Sequence, residues 1–295
     1  MPSYIHNKIK RALRLIPLTA LLCPANVIAA SLAPETSTAW EQYIAAAKMR
    51  MEQRLALGKT FLWVDESPER LSRVRSGEVV ISPASAQNPK RVPGGLIHDW
   101  IGAVFVPNVE LANVLEVVSD FASYKDYYKP TVVDSKMIES TDAGARFSML
   151  LLNRSMLMRT AFDTDYESCY VRVDRRHGYS LSRTTRVQEI EDYGAPAEHL
   201  LQKGQGTGVI WGLFSIARFL ERDKGVYIEL EAIGLSRDIP ASLRWLIDPM
   251  VRRMARSALS TSLRQTENAV WSHVEAALPT EDRRRFVAGA FTSGK

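Results

Sequence analysis

Residues 96–130 read LIHDWIGAVFVPNVELANVLEVVSDFASYKDYYKP, and the order of patterns inside them decides the fold. "LIHDWIGAVFVP" is β-branched and aromatic and stops at Pro107, which predicts a strand. The period then changes. With Asn108 as N-cap, Leu111, Val114, Leu115, Val118, Phe121 and Ala122 fall on one side of a helix.

After "YKDYYKP" strand patterns return. The segments TVVDSKMIES (131–140), ARFSMLLLN (145–153), SMLMRTAFDTDYES (155–168), CYVRVDRRHGYSLSRTTRVQEIED (169–192), GTGVIWGLFSIARFLER (206–222) and GVYIELEAIGLS (225–236) predict strands. Turn signals such as TDAG, DYGAP and RDKG separate several of them. Short connections between successive strands require antiparallel pairing. A long helix follows, with Asp248 as N-cap and Pro249 at its first position. One strand, one helix, many strands and a closing helix is an α+β order: a curved antiparallel sheet wrapped around a long C-terminal helix.

Upstream, residues 37–57 carry Trp40, Ile44, Ala47 and Met51 at helical spacing behind a capping box from Thr38 to Glu41. Ser67, Pro68 and Gly77 bracket a second short helix, and "SPASAQNPKRVPGG" (82–95) reads as a linker. The division expected is therefore a leader over 1–30, an N-terminal helical extension over 31–95, a ligand-binding domain over 96–278 and a polar tail over 279–295.

The leader has a basic front (Lys8, Lys10, Arg11, Arg14) and an apolar stretch ending in small residues, with cleavage expected near Ala29 or Ala30. Export to the periplasm or outside the cell follows. Of 38 basic side chains, 34 then remain against 33 acidic ones, a net charge of +1 that removes the main support for nucleic-acid binding. Cys169 stands alone after cleavage, so stability rests on an apolar core and not on a disulfide.

The element order, together with Asp120, Phe121, Tyr124, Tyr127 and Pro130 in "DFASYKDYYKP", resembles the START-like (SRPBCC, helix-grip) superfamily of lipid-transfer domains and polyketide cyclases, over residues 96–276. The resemblance implies a cavity between sheet and C-terminal helix that holds a lipid or other apolar small molecule. It covers both carriers and enzymes, so a cyclase or aromatase stays open as the alternative, as does an envelope protein-interaction module.

Within that frame the last helix has one face of Met250, Met254, Ser257, Ala258, Thr261 and Gln265, and another row of Arg252, Arg256, Ser260 and Arg264. Methionines beside small and hydroxylated residues suit either a ligand chamber or plain core, and they are poor at inserting into a bilayer. Tyr124, Tyr127 and Tyr128 either line a cavity mouth or pack under the sheet. Among the strand arginines 146, 159, 183 and 186, Arg183 is the first candidate for an acidic ligand group, because alternation sets it with Leu181 and Val187. Trp211 and Trp245 could cover a ring or an acyl chain, or be core. "GQGTG" (204–208) enters a strand rather than a helix and so reads as a turn, not a phosphate loop. The four remaining histidines lack metal-ligand spacing, and neither G-x-S-x-G nor H-E-x-x-H occurs. The expectation is thus a binding or carrier protein, with no cofactor, no metal, a lipid-like partner and transient membrane contact.

Overall fold

The computed structural model describes residues 32–154, 159–240, 242 and 244–279; the leader, most of the tail, and the side chains of Arg159, Trp245 and Asp248 lie outside this description. Ten antiparallel strands form one sheet. They are β1 (Val80–Pro83), β2 (Lys90–Val92), β3 (Gly95–Pro107), β4 (Val132–Thr141), β5 (Gly144–Arg154), β6 (Arg159–Arg172), β7 (His177–Glu191), β8 (His199–Leu200), β9 (Gly212–Arg222) and β10 (Gly225–Arg237). The order is β1-β3-β10-β9-β7-β6-β5-β4, with β2 also on β3 and β8 on β7. The long early strand and the last one meet along their whole length, from Gly225 opposite Pro107 to Arg237 opposite Gly95. Helices α1 (Pro34–Arg54), α2 (Pro68–Arg75), α3 (Leu111–Ser119), α4 (Tyr124–Tyr127) and α5 (Arg244–Ala277) complete an α+β, helix-grip architecture.

Strand alternation gives the sheet two faces. On one, α1 sets Ile44, Ala47 and Met51 against Ile97, Phe214, Ile216, Ile233 and Leu235. Beside it Leu62, Trp63, Val64 and Val74, from α2 and the turn before it, cover Ile101, Phe105, Leu220 and Tyr227. On the other, α3 and α5 pack Val114, Val117, Leu259, Leu263 and Val270 against Val104, Val106, Phe219, Val226 and Ile228. Gly102 lies under this contact: a Cβ there would stand 2.8 Å from the tip of the Leu263 side chain, which would then have to move.

Several boundaries differ from the sequence reading. The 82–95 stretch is not only linker, since β1 begins before it, β2 lies inside it, and both pair with β3. α1 starts at Pro34 without a side-chain cap, and the Thr38 hydroxyl donates to the Pro34 carbonyl instead of capping. Asn108 sits in a turn at φ +59, while Glu110 and Asn113 form the reciprocal cap of α3. Strand β6 continues through Cys169 to Arg172, because the turn is made by Asp174, whose carboxylate accepts the Arg176 and His177 amides. α5 begins at Arg244 with Pro249 inside it, so Pro249 costs one helical hydrogen bond near the start and does not open the helix.

Candidate functional site

The sheet face toward α5 is not uniformly closed. The cluster under α3 and α5 occupies one end, and a separate cluster built on Phe121, Phe147 and Tyr166 occupies another part. Between them runs a strip of half-buried side chains: Met149 of β5, Leu213 and Ala217 of β9, and Leu230 and Ala232 of β10. Alternation puts Ser215 on this strip between Leu213 and Ala217, and register sets Ser180 of β7 beside Ala217. On the opposite face the intervening residues Phe214, Ile216, Arg218, Glu231 and Ile233 are all buried. The strip is therefore less buried than the clusters it packs against, and it is apolar with hydroxyls, the composition of a small-molecule site.

One flank of the strip is a stack of rings. Phe121 lies on Phe147 at 4.1 Å, Phe147 lies on Tyr166 at 4.9 Å, and Tyr124 meets Phe147 edge-on at 6.0 Å. The predicted tyrosines bind the protein. Tyr124 donates to the Val118 carbonyl at 2.6 Å, Tyr127 to Asp120 at 3.2 Å, and the Tyr128 hydroxyl meets Thr266 Oγ1 at 3.0 Å. Burial raises the pKa of all three, so the phenols stay protonated and fasten α4 to its neighbours.

The α5 residues chosen from the sequence need correction. The buried row is Leu259, Leu263, Thr266 and Val270. It lies about 150° around the helix from the Met250-to-Gln265 face, at 100° per residue. Met250, Ala258 and Thr261 are exposed, Met254 is half buried, and Gln265 donates to the Lys129 carbonyl. Leu259 and Leu263 are the side chains that meet β3 at Gly102. Arg183 and Trp211 are on the α1 face: Arg183 pairs with Glu41 of α1 at 3.0 Å, and Trp211 packs with Trp40 and Phe214. Arg183 also edges an open groove of about 410 Å³ on that face, bordered by Lys48, Arg146, Cys169, Leu181 and Phe214. Arg186 instead bridges Asp163 and Asp165, and Arg146 reaches Glu139 at 3.4 Å.

Two acids with raised pKa, Asp99 and Glu229, also lie on the α1 face. Arg218, 1 % exposed, reaches Glu231 through Nη2 and stands 3.6 Å from Glu229, itself wholly buried and accepting the Trp63 and Val64 amides at 2.9 and 2.8 Å. Arg50 of α1 contacts Glu231 at 3.2 Å and Asp99 at 3.4 Å, while Tyr43 donates to Asp99 at 2.7 Å. Three carboxylates face two guanidiniums. Burial, aided by the charge of Glu231, pushes Asp99 up to about 7, which supplies the proton that balances the cluster. Burial likewise raises Glu229. Sequence reading missed this network; its trace was Arg218 in register with Phe214, Ile216 and Leu220. "GQGTG" proves to be a capping loop: Glu189 accepts from the Thr207 amide and hydroxyl at 2.8 and 2.7 Å, and Gly206, at φ +118, leaves no space for a Cβ, which would sit 2.5 Å from that carboxylate. Among the described residues no group of His, Cys, Asp and Glu could hold a metal ion.

No family model matches the chain, and no curated protein sequence matches it. Solved structures do. A STAR-related lipid transfer protein from Xanthomonas axonopodis aligns with TM-score 0.40 and 17 % identity, over 64 % of this chain and 98 % of that one. The Zhui aromatase/cyclase from Streptomyces sp. R1128 aligns with TM-score 0.40 and 13 % identity, over 61 % of this chain and 98 % of that one. Human STARD10 gives 0.39 and 10 %, over 72 % of this chain and 83 % of that one.

Proposed function

We propose that this chain is an exported binding or carrier protein for a lipid or other apolar small molecule, held against the α5 face at Met149, Leu213, Ala217, Leu230 and Ala232. The observation that carries the proposal is the half-buried apolar strip on the α5 face, set directly behind Phe214, Ile216 and Ile233, which are buried. Burying about 300 Å² of ligand apolar surface there, at roughly 25 cal/mol per Å², is worth some 7 kcal/mol before association costs. Ser180 and Ser215 supply polar contacts for orientation.

A cyclase would need an acid or base of shifted pKa facing that strip. The shifted carboxyl groups Asp99 and Glu229 serve the opposite face, and Glu267 of α5, also raised by burial, is paired with Arg264 at 2.8 Å, so binding is the reading the geometry favours. Native mass spectrometry of the chain from Ser31 onward, with organic extraction of whatever co-purifies, tests the proposal. A stoichiometric apolar molecule is expected. A protein that is empty and also takes up none of a panel of fatty acids, phospholipids and quinones would sink it.

A further inference from the structure

At the end of the molecule where β6 turns into β7, two exposed apolar segments lie side by side. The loop after α1 carries Leu55, 40 % exposed, and Leu57, fully exposed next to Gly58 at φ +76. The β6–β7 turn carries Val171 and Val173, at 36 % and 44 %. The two are joined by Phe61, whose ring meets the His177 ring edge-on at 5.3 Å. His177 is in turn held by the Asp174 carboxylate at 2.7 Å, so the turn has a fixed shape. Alternation from Cys169 puts Val171 on the α1 side of the sheet, toward that loop.

Around these apolar groups stand Lys59, Arg175 and Arg176, all exposed and none in an ion pair among the described residues. The only acidic group in the turn, Asp174, is committed to His177 and two backbone amides. Elsewhere on the α1 face arginines are answered by carboxylates: Arg183 by Glu41, Arg186 by Asp163 and Asp165, Arg222 by Asp65. Unanswered cations beside protruding aliphatic side chains suit a surface with anionic headgroups over acyl chains. A protein partner would more commonly meet aromatic anchors in a desolvated centre.

We propose that the α1–α2 loop and the β6–β7 turn dock this protein on an anionic lipid surface, with Leu57 and Val173 entering the headgroup boundary and Lys59, Arg175 and Arg176 meeting lipid phosphates. The site is independent of whatever the α5 face binds. The test is co-sedimentation of the chain from Ser31 onward, which keeps every described residue, with phosphatidylcholine vesicles with and without phosphatidylserine. Retention on the phosphatidylserine vesicles that weakens with salt is expected. Leu57→Ser with Val173→Ser should reduce it about tenfold, and Lys59→Gln with Arg175→Gln and Arg176→Gln about fivefold per cation. All these positions are exposed, so melting temperatures should not move. Met137→Ser with Ile138→Ser, on exposed positions of β4, should leave retention unchanged. No retention, equal retention on pure phosphatidylcholine, or losses as large for the β4 control as for the patch variants would each overturn the proposal.

Discussion

On β10, alternate residues enter two different environments. Tyr227, Glu229, Glu231, Ile233 and Leu235 are buried beneath α1, α2 and their connections, whereas Leu230 and Ala232 remain half exposed beside α5. The α1 face is covered by two helices over β3, β9 and β10, with the groove beside Arg183 left open further along, and it includes five ionisable groups that only a matched cover can satisfy: Arg50, Asp99, Arg218, Glu229 and Glu231. The α5 face is held by aliphatic contacts at one end and stacked rings at the other, with a gap between. Closure by charges is unforgiving, because removing one partner strands the others in low dielectric. Closure by aliphatic contact tolerates an opening, since an unfilled apolar strip costs area but leaves no polar group unpaired.

This contrast can be broken in graded ways. Deleting residues 32–79 should abolish native folding, because it strips both apolar covers of the α1 face and exposes the charge cluster; loss of the cooperative thermal transition by circular dichroism is the readout. Arg218→Met should cost about 3–5 kcal/mol in urea denaturation, since Glu229 and Glu231 lose their buried cation. A loss under 1 kcal/mol would mean the cluster is hydrated and the closed-face description is wrong.

The pH dependence comes next. Asp99 is raised from its ordinary 3.8 to about 7, so the folded state holds a proton the unfolded chain releases. Its stabilising contribution is therefore complete below about pH 4 and is lost as pH rises through 7, on the order of 4 kcal/mol in full. Wild type should lose stability between about pH 5 and 8 relative to Asp99→Asn, which keeps the shape but does not titrate. Parallel stability curves for the two would remove Asp99 from the account. The smallest effect on stability is expected on the open face: Ala217→Trp should move it by about 1 kcal/mol or less, yet block uptake of the apolar ligand.

The sequence made most of the strands legible, because alternation and turn residues are local signals. It also showed the inner row of α1, where Ile44, Ala47 and Met51 had no rival face. Helix α5 was harder. It carries two candidate rows, and the choice between Met254 with Ala258 and Leu259 with Leu263 rests on packing against α3 and strands such as β3, more than 140 positions earlier. Glu229 and Glu231 alternate with Ile228 and Leu230 as solvent-facing residues would, and only the packing of α1 and of Trp63 and Val64 turns them into core. Arg183 was misassigned for two reasons: the register shift beside Asp165 and Tyr166 turns Val187 to the other face from Arg183 and Leu181, and alternation does not say which helix covers a face.

The most direct test of the central claim is a methyl-resolved NMR titration with a fatty acid, because it distinguishes one sheet face from the other. The account predicts shifts at Met149, Leu213, Ala217 and Leu230, with Ile97, Ile216 and Ile233 unmoved. Shifts confined to Leu181 in the groove beside Lys48, or to the isoleucines under α1, or to no methyl at all, would contradict it.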